Sequence, residues 1–448
     1  MNTKLNDKLE AIFPRLVDEL CELIKIQSIS SPSFDQENVW DSARHVEKRF
    51  AQLGLTTRIL SEKTPDGKSG RPAVVAQTPR IEGAPTVLLY AHHDVQPVGD
   101  ESRWDTPPFE PTVRGDRLFG RGSSDDGAGI VTHLGALQLL GDDLAVNVTV
   151  FIEGEEEIGS PSFANFLAAH HELLAADYII VADSDNWTVD TPALTASLRG
   201  LADATVRVRV LDHALHSGMY GGPVLDAVTV AARLIASFHD EQGRVAVDGL
   251  GGTTTADVDY PEDAFRRDTS LVEGVELAGV GDLASRMWTQ PALSIIGFDA
   301  TSVAHSSNTI APECQFKVSL RTVPGTDSSA AMEALRRHVE NNRPFGAQVD
   351  FIEGEIGPSY QADLTSNAST VAHECLREAW GTESVNIGVG GSIPFIADFQ
   401  REFPDAQVIV TGVEDPASHA HSENESQSLR VLKAAVHAEA LMLQRFAQ

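Results

Sequence analysis

The sequence predicts an α/β protein with a mostly parallel central sheet covered by helices, which carries a smaller α+β unit inserted within it. Three observations point there. Continuous apolar runs such as Thr86 to Ala91 alternate with helical stripes, as happens where both faces of a parallel sheet are covered. From about Gly200 the strand-like runs instead alternate apolar with polar residues, the mark of antiparallel strands with one wet face. From Leu364 the buried style returns, so residues 1–199 and 364–448 are expected to form one domain and residues 200–363 an insert.

Taken in order, Leu9, Ile12, Phe13, Leu16, Val17, Leu20, Leu23 and Ile24 recur at three- and four-residue steps and draw an apolar stripe on a first helix. A second stripe, from Val39 to Leu53, ends at Gly54, a natural left-handed cap. Runs at Ala73 to Ala76, Thr86 to Ala91, Val146 to Ile152 and Tyr178 to Ala182 read as strands, with helices at Ala128 to Leu140 and Phe163 to Leu174 among them. In the insert, Ala204, Val206, Val208 and Val210 alternate with Thr205, Arg207 and Arg209. Further strands are expected at Ala292 to Gly297, Cys314 to Thr322 and Gln348 to Glu353, with helices at Val224 to Phe238 and Ser329 to Asn341. Helix Ser369 to Trp380, strand Gln407 to Thr411 and a last helix from about Glu425 to Phe446 complete the chain.

Composition narrows the class. Of 448 residues, 42% are hydrophobic and 22% charged, ordinary for a folded enzyme. The net charge of −31 repels nucleic acid and anionic membrane surfaces and gathers cations, although solubility alone would account for it. Cys21, Cys314 and Cys375 are scattered and odd in number, which suggests neither a disulfide framework nor a cysteine zinc site. With no secretory pattern at the start and no apolar run near the roughly 20 residues of a membrane helix, a cytoplasmic protein is expected.

The chemistry gathers at strand ends, where open α/β sheets place their sites. Glu153, Glu155, Glu156 and Glu157 put four carboxylates in five residues after the run Val146 to Ile152. Like charges packed beside a buried strand need a positive partner, unless the segment is merely a solvated acidic loop. Other strand ends favour the partner. Thr86 to Ala91 ends in His92-His93-Asp94, and a helix is preceded by Ser124-Asp125-Asp126. Tyr178 to Ala182 ends in Asp183-Ser184-Asp185, and Gln407 to Thr411 leads to His419-Ala420-His421. Imidazoles and carboxylates without cysteine are the ligand set of a two-metal zinc or manganese hydrolase.

These segments, with Leu215-His216-Ser217-Gly218 and Gly390-Gly391-Ser392-Ile393-Pro394, make nearly the whole chain resemble the co-catalytic zinc amidohydrolases. That family includes carnosine-type dipeptidases, aminoacylases, carboxypeptidase G and succinyl-diaminopimelate desuccinylase, and the match is nearest to the dipeptidase branch. The resemblance implies a zinc-exopeptidase-like catalytic domain with an inserted lid and dimerisation domain. It implies His92, Asp125, Glu157, Asp183 and His421 as ligands of two divalent ions, zinc first, with manganese or cobalt as alternatives. Asp125 would bridge the ions and precede a cis peptide bond to Asp126. Asp185 is the rival of Asp183, and His419 of His421. Asp94 would fix the tautomer of His92. Glu156 would be the general base, taking a proton from an activated water and passing it to the leaving amine. His216 would stabilise the oxyanion, commonly across a homodimer, and Arg321 would grip a terminal carboxylate with help from Asn308, Thr309, Gly391 and Ser392.

Two positions depart from the family pattern. Gly127 replaces a usual lysine, and Val389 stands where dipeptidases often carry an acid that meets a free amine. The resemblance implies dipeptides or short peptides with a free C-terminal carboxylate as substrates, and Val389 raises N-acyl amino acids as the alternative. A metal-binding scaffold without catalysis is the contrasting reading, and the presence of Glu156 speaks against it.

Overall fold

The computed structural model describes residues 3–253, 255–390 and 394–447. The chain divides into two compact units. The first comprises Met1–Ala196, Ala362–Asn386 and Phe395–Gln448, and the second Ser197–Gln361 and Ile387–Pro394.

Seven strands, six of them wholly in the first unit and the last beginning there, lie in the order Thr56–Leu60, Ala73–Gln77, Asn147–Glu153, Thr86–His92, Tyr178–Asp185, Gln407–Glu414 and Ala193–Leu198. The four central ones, from Asn147–Glu153 to Gln407–Glu414, run parallel, and the flanking pairings are antiparallel. The unbroken apolar runs follow from covering on both faces. Val87, Leu89 and Ala91 enter a core with Leu16, Leu20, Ile130, Leu134 and Leu432. Tyr90, between them, stacks on Phe395 with ring centroids 3.9 Å apart, and Phe151 packs on Phe163 and Phe166 on the same side.

Helix Gly127–Leu140 is buried at every residue but one, because it lies against the sheet and between helices Thr3–Ile24 and Leu429–Arg445. Gly135 permits this approach: a Cβ there would sit 2.8 Å from side-chain atoms of Leu16 and Val436. Asp126 starts the helix by accepting the N–H of Gly129.

Strands Thr56–Leu60, Ala193–Leu198 and Val385–Val389 are not apparent in the sequence pattern. The first is a partly exposed edge strand, whose threonines and arginine hide its period. The last helix begins at Leu429, not near Glu425. Ser428 caps it through the N–H of Val431, and Ser426–Ser428 pairs instead with Arg117–Phe119, itself paired with Thr112–Arg114. That small sheet joins the loop before Asp125 to the loop that carries His421.

The second unit is a four-stranded antiparallel sheet in the order Ala292–Asp299, Glu313–Thr322, Gly200–Arg209 and Gln348–Gly357. Ala204, Val206, Val208, Phe316 and Val318 pack under helices Ala227–Ala236 and Ser328–Asn341. The alternation seen in the sequence is this one-sided burial. Among the described residues, no helix is long and apolar enough to cross a membrane.

Candidate metal centre

Parallel strands finish at one edge of a sheet, and three in the first unit deliver chemistry there. Thr86–His92 ends in His92, Asn147–Glu153 runs on to Glu156 and Glu157, and Tyr178–Asp185 carries Asp183. Asp125 comes from the turn before helix Gly127–Leu140, and His421 from the loop after Gln407–Glu414. The Asp125–Asp126 peptide bond is cis.

Two groups able to hold a metal ion result: His92, Asp125 and Asp183, and Asp125, Glu157 and His421. Within each, the ligand atoms lie within 4.8 Å of one another. Asp125 belongs to both. Its Oδ1 is 2.9 Å from His92 Nε2 and its Oδ2 is 2.9 Å from His421 Nε2. Asp183 Oδ1 is 3.8 Å from His92 Nε2, and Glu157 Oε2 is 3.2 Å from His421 Nε2. Asp185 and His419 fall in neither group.

The electrostatics are those of too many acids in too little water. Burial, with the charge of Asp125 behind it, lifts Glu157 to about 7, and burial lifts Asp183 to about 6. Burial also pushes Glu156 well above the usual carboxylate range, with the charges of Asp183, Glu157 and Asp125 adding to it. Burial works against ionised Asp125 too, but hydrogen bonds with His421 and His92 outweigh it and hold that carboxyl low. In return, hydrogen bonds with Asp125 and Glu157 raise His421 to about 10.

The donors suit divalent cations. His92 Nδ1 lies 3.0 Å from the carbonyl oxygen of Asp94. A carbonyl only accepts, so Nδ1 carries a proton and Nε2, which faces Asp125 and Asp183, is the nitrogen left to a cation. Glu157 Oε1 is buried without a hydrogen-bond partner, as expected of an oxygen that awaits a cation. Nitrogen and carboxylate donors without thiolate fit zinc, manganese or cobalt alike.

Around these residues a shell of hydrogen bonds sets their positions. The Asp94 carboxylate accepts the backbone N–H groups of Glu156 at 3.2 Å and Glu157 at 3.1 Å, and is 3.4 Å from His92 Nδ1. It therefore holds the acidic turn, while its carbonyl fixes the imidazole. Gln96 donates to Glu157 Oε2 at 2.8 Å. Glu153 is buried under Tyr90, whose hydroxyl donates to it at 2.7 Å, and Glu155 accepts from Arg71 and Ser162. Asp126 accepts the N–H of His92.

Sequence reasoning gave Glu425 no role, yet it is fully buried and organises the Asp125 turn. It accepts the N–H groups of Gly122, Ser124 and Asp125 at 3.0, 2.9 and 3.2 Å and pairs with Arg121 at 2.6 Å. Arg121 in turn donates to the carbonyl of Ser422, beside His421. The only signal was that Glu425 closes the motif containing His421, and its burial could not be read from that.

The remaining predicted residues that the structure describes lie in the second unit. His216 pairs with Thr309 in a short antiparallel bridge, Ser217 donates its N–H to the carbonyl of Asn308 at 2.9 Å, and all three predicted residues here, His216, Asn308 and Thr309, are exposed. Arg321 sits on strand Glu313–Thr322, opposite Leu201. Gly391 and Ser392 lie outside the described residues.

The chain matches Peptidase family M20/M25/M40 over residues 88–445. It is 32% identical over 434 residues to the cysteinylglycine-S-conjugate dipeptidase of Corynebacterium striatum, covering 95% of this chain and 94% of the relative. It is 26% identical over 451 residues to the Cys-Gly metallodipeptidase DUG1 of Candida albicans, covering 94% and 92%. The solved structure of the dipeptidase Dug1p from Saccharomyces cerevisiae has the same fold, with a TM-score of 0.79 at 23% identity over 99% of this chain and 98% of that one.

Proposed function

Because this chain belongs to peptidase family M20/M25/M40, we propose that it hydrolyses dipeptides and short peptides bearing a free C-terminal carboxylate, at a centre held by His92, Asp125, Glu157, Asp183 and His421. The observation that carries this is Asp125, with one oxygen turned to each of two histidines in two adjoining donor groups. Those five residues would hold two divalent cations, zinc in our reading, which would supply Lewis acidity and activate water there.

The chain's own residues do the rest. Asp94 orients the turn so that Glu156 and Glu157, though adjacent, serve different ends. Glu156, its carboxyl raised by burial, takes a proton from the attacking water and passes it to the leaving amine as the C–N bond breaks. His216 stabilises the developing oxyanion, and Arg321 holds the substrate's carboxylate, with Asn308, Thr309, Gly391 and Ser392 as further contacts. The inserted unit serves as lid and dimerisation domain, and a homodimer lets His216 act on the partner subunit's substrate. A reducing, cytoplasmic setting suits the three free thiols.

The name of the Corynebacterium striatum relative makes cysteinylglycine and its S-conjugates the first substrates to try. Glu156→Gln should keep its metal and lose turnover by two orders of magnitude or more, about the scale of general acid–base catalysis. Activity that survived would remove Glu156 from the mechanism. Val389 favours a second reading, deacylation of N-acyl amino acids, since no acid stands there to meet a free amine. Rates on a dipeptide and on its N-acetyl form separate the two.

A further inference from the structure

Arg199 is only 5% exposed, and its Nε is buried without a hydrogen-bond partner. Nη2 donates to the carbonyl of Arg286, which orients the guanidinium but offers no negative charge. Elsewhere in the second unit Arg244, Arg266, Arg267 and Arg336 each rest on a carboxylate. Arg199 is the more deeply buried, yet no ion pair joins it to any described residue. Instead it has a like charge nearby. Arg321 lies opposite Leu201, two residues on from Arg199, where strand Glu313–Thr322 pairs with Gly200–Arg209. Burial first, and then the charge of Arg321, push Arg199 down to about 10.

A buried guanidinium with an unmet donor and a cation beside it is costly unless an anion joins them. In a chain of net charge −31 there is no shortage of acids that could have been recruited, and none has been. We propose that Arg199 and Arg321 together form a two-arginine site for the free carboxylate of the substrate, and that Arg199 enforces the requirement for that charge. Two planar forks, one buried and one half-buried on an inner strand, can share one carboxylate between them. The backbone N–H of Arg199 donates to the carbonyl of Val389 at 3.2 Å, which ties this site to the segment that precedes Gly391 and Ser392.

The inference rests on the peptidase reading above, and the test keeps the two apart. KM and kcat are measured with metal-loaded full-length protein on cysteinylglycine and on its C-terminal amide, for the wild type, Arg199→Met, Arg199→Lys and Arg321→Met. Arg199→Met should raise KM for the free acid about tenfold or more, the scale of one charge-assisted hydrogen bond. The amide's KM, and kcat for both, should stay within about twofold. Arg199→Lys keeps the charge without the fork and should fall between; it answers the question even if the methionine variant fails to fold. A change that strikes acid and amide alike, or neither, overturns the role of Arg199. If Arg321→Met erases the preference for the acid and both Arg199 variants keep it, only this inference fails. If the wild type does not prefer the acid, the carboxylate-directed reading fails and takes this inference with it.

Discussion

His92 and His421 stand on either side of Asp125 with Nε2 2.9 Å from its two oxygens, yet the His92 side chain is 1% exposed and that of His421 is 58% exposed. His92 ends a strand that is buried from Val87 onward, so the sheet itself sets its position. His421 belongs to a loop in which His419, His421 and Asn424 all take positive φ, near +60°. Each such residue costs about 1 kcal/mol or more, so the loop keeps its shape only through its bonds. Those bonds are identifiable: Asn424 bridges to Arg103 and Asp105, Arg117 grips Asp415 and Ser426, and Arg121 with Glu425 joins the loop to the Asp125 turn. One half of the centre is templated by the fold, and the other is assembled by polar contacts.

The severest way to break the comparison is to remove what the halves share. Asp125→Ala should strip both donor groups, leaving less than one equivalent of metal per chain by elemental analysis. Its activity loss should exceed that of Asp183→Ala or Glu157→Ala, each of which disables one group. If Asp125→Ala bound as much metal as either of those, Asp125 would not be the common ligand.

The next change separates the halves. Glu425→Gln keeps the size of the side chain but removes the charge that Arg121 and three backbone N–H groups address. Loss of an outer hydrogen-bond partner typically lowers metal affinity about 10- to 100-fold. In a two-step zinc titration both steps should weaken, since Asp125 serves both groups, and the step that Glu157→Ala also abolishes should weaken the more. Equal weakening of both steps would mean that Glu425 supports Asp125 alone and not the loop side.

The excess of acids makes a milder prediction about pH. Burial lifts Glu153 to about 8 and Glu157 to about 7, against ordinary values of 4.5. Between those limits the folded chain holds protons that the unfolded chain has released, so stability falls as pH rises from about 5 to about 8. His421, raised to about 10, adds a loss of the same sign above its ordinary 6.5. Metal-free protein should therefore melt at a lower temperature at pH 8 than at pH 5.5. Saturating metal should close most of the gap. Glu153→Gln, still able to accept from Tyr90, should flatten the metal-free slope in part. A metal-free chain that is steadier at pH 8 would contradict the burial of these acids.

How much of this was legible in the sequence follows the same divide. The strands that lead to His92, Glu153 and Asp183 are readable because two-sided burial leaves short runs rich in apolar and β-branched residues, and their acids and imidazoles stand at or just past the ends. Helix Phe163–Leu174 was readable for its apolar face. The loop side was not. Ser426–Ser428 is a polar strand with no hydrophobic period, and its pairing with Arg117–Phe119 spans some three hundred residues, so Glu425 looked like the start of a helix. Asp94 had a role from resemblance, but only coordinates reveal that its carboxylate serves the N–H groups of Glu156 and Glu157. Nothing in the local sequence marks Arg199, since neither its burial nor its lack of an acid is written there.

The smallest expected effect tests how finely the loop discriminates. His419 and His421 are two residues apart, both exposed and both at positive φ, so residue type and backbone do not tell them apart. What differs is direction: His421 reaches Asp125 and Glu157, whereas His419 belongs to no donor group and engages the loop through its carbonyl, which accepts the N–H of Ser422 at 3.0 Å. His419→Ala leaves that carbonyl in place. It should keep two equivalents of metal and shift stability by no more than about 0.5 kcal/mol, as an exposed side chain does. His419→Gly asks more of the loop, because glycine reaches positive φ without strain but adds entropy to the unfolded chain. If His419→Ala loses metal while His421→Ala does not, the ligand has been placed on the wrong histidine. The loop side of the centre would then have to be redrawn, with the sheet side untouched.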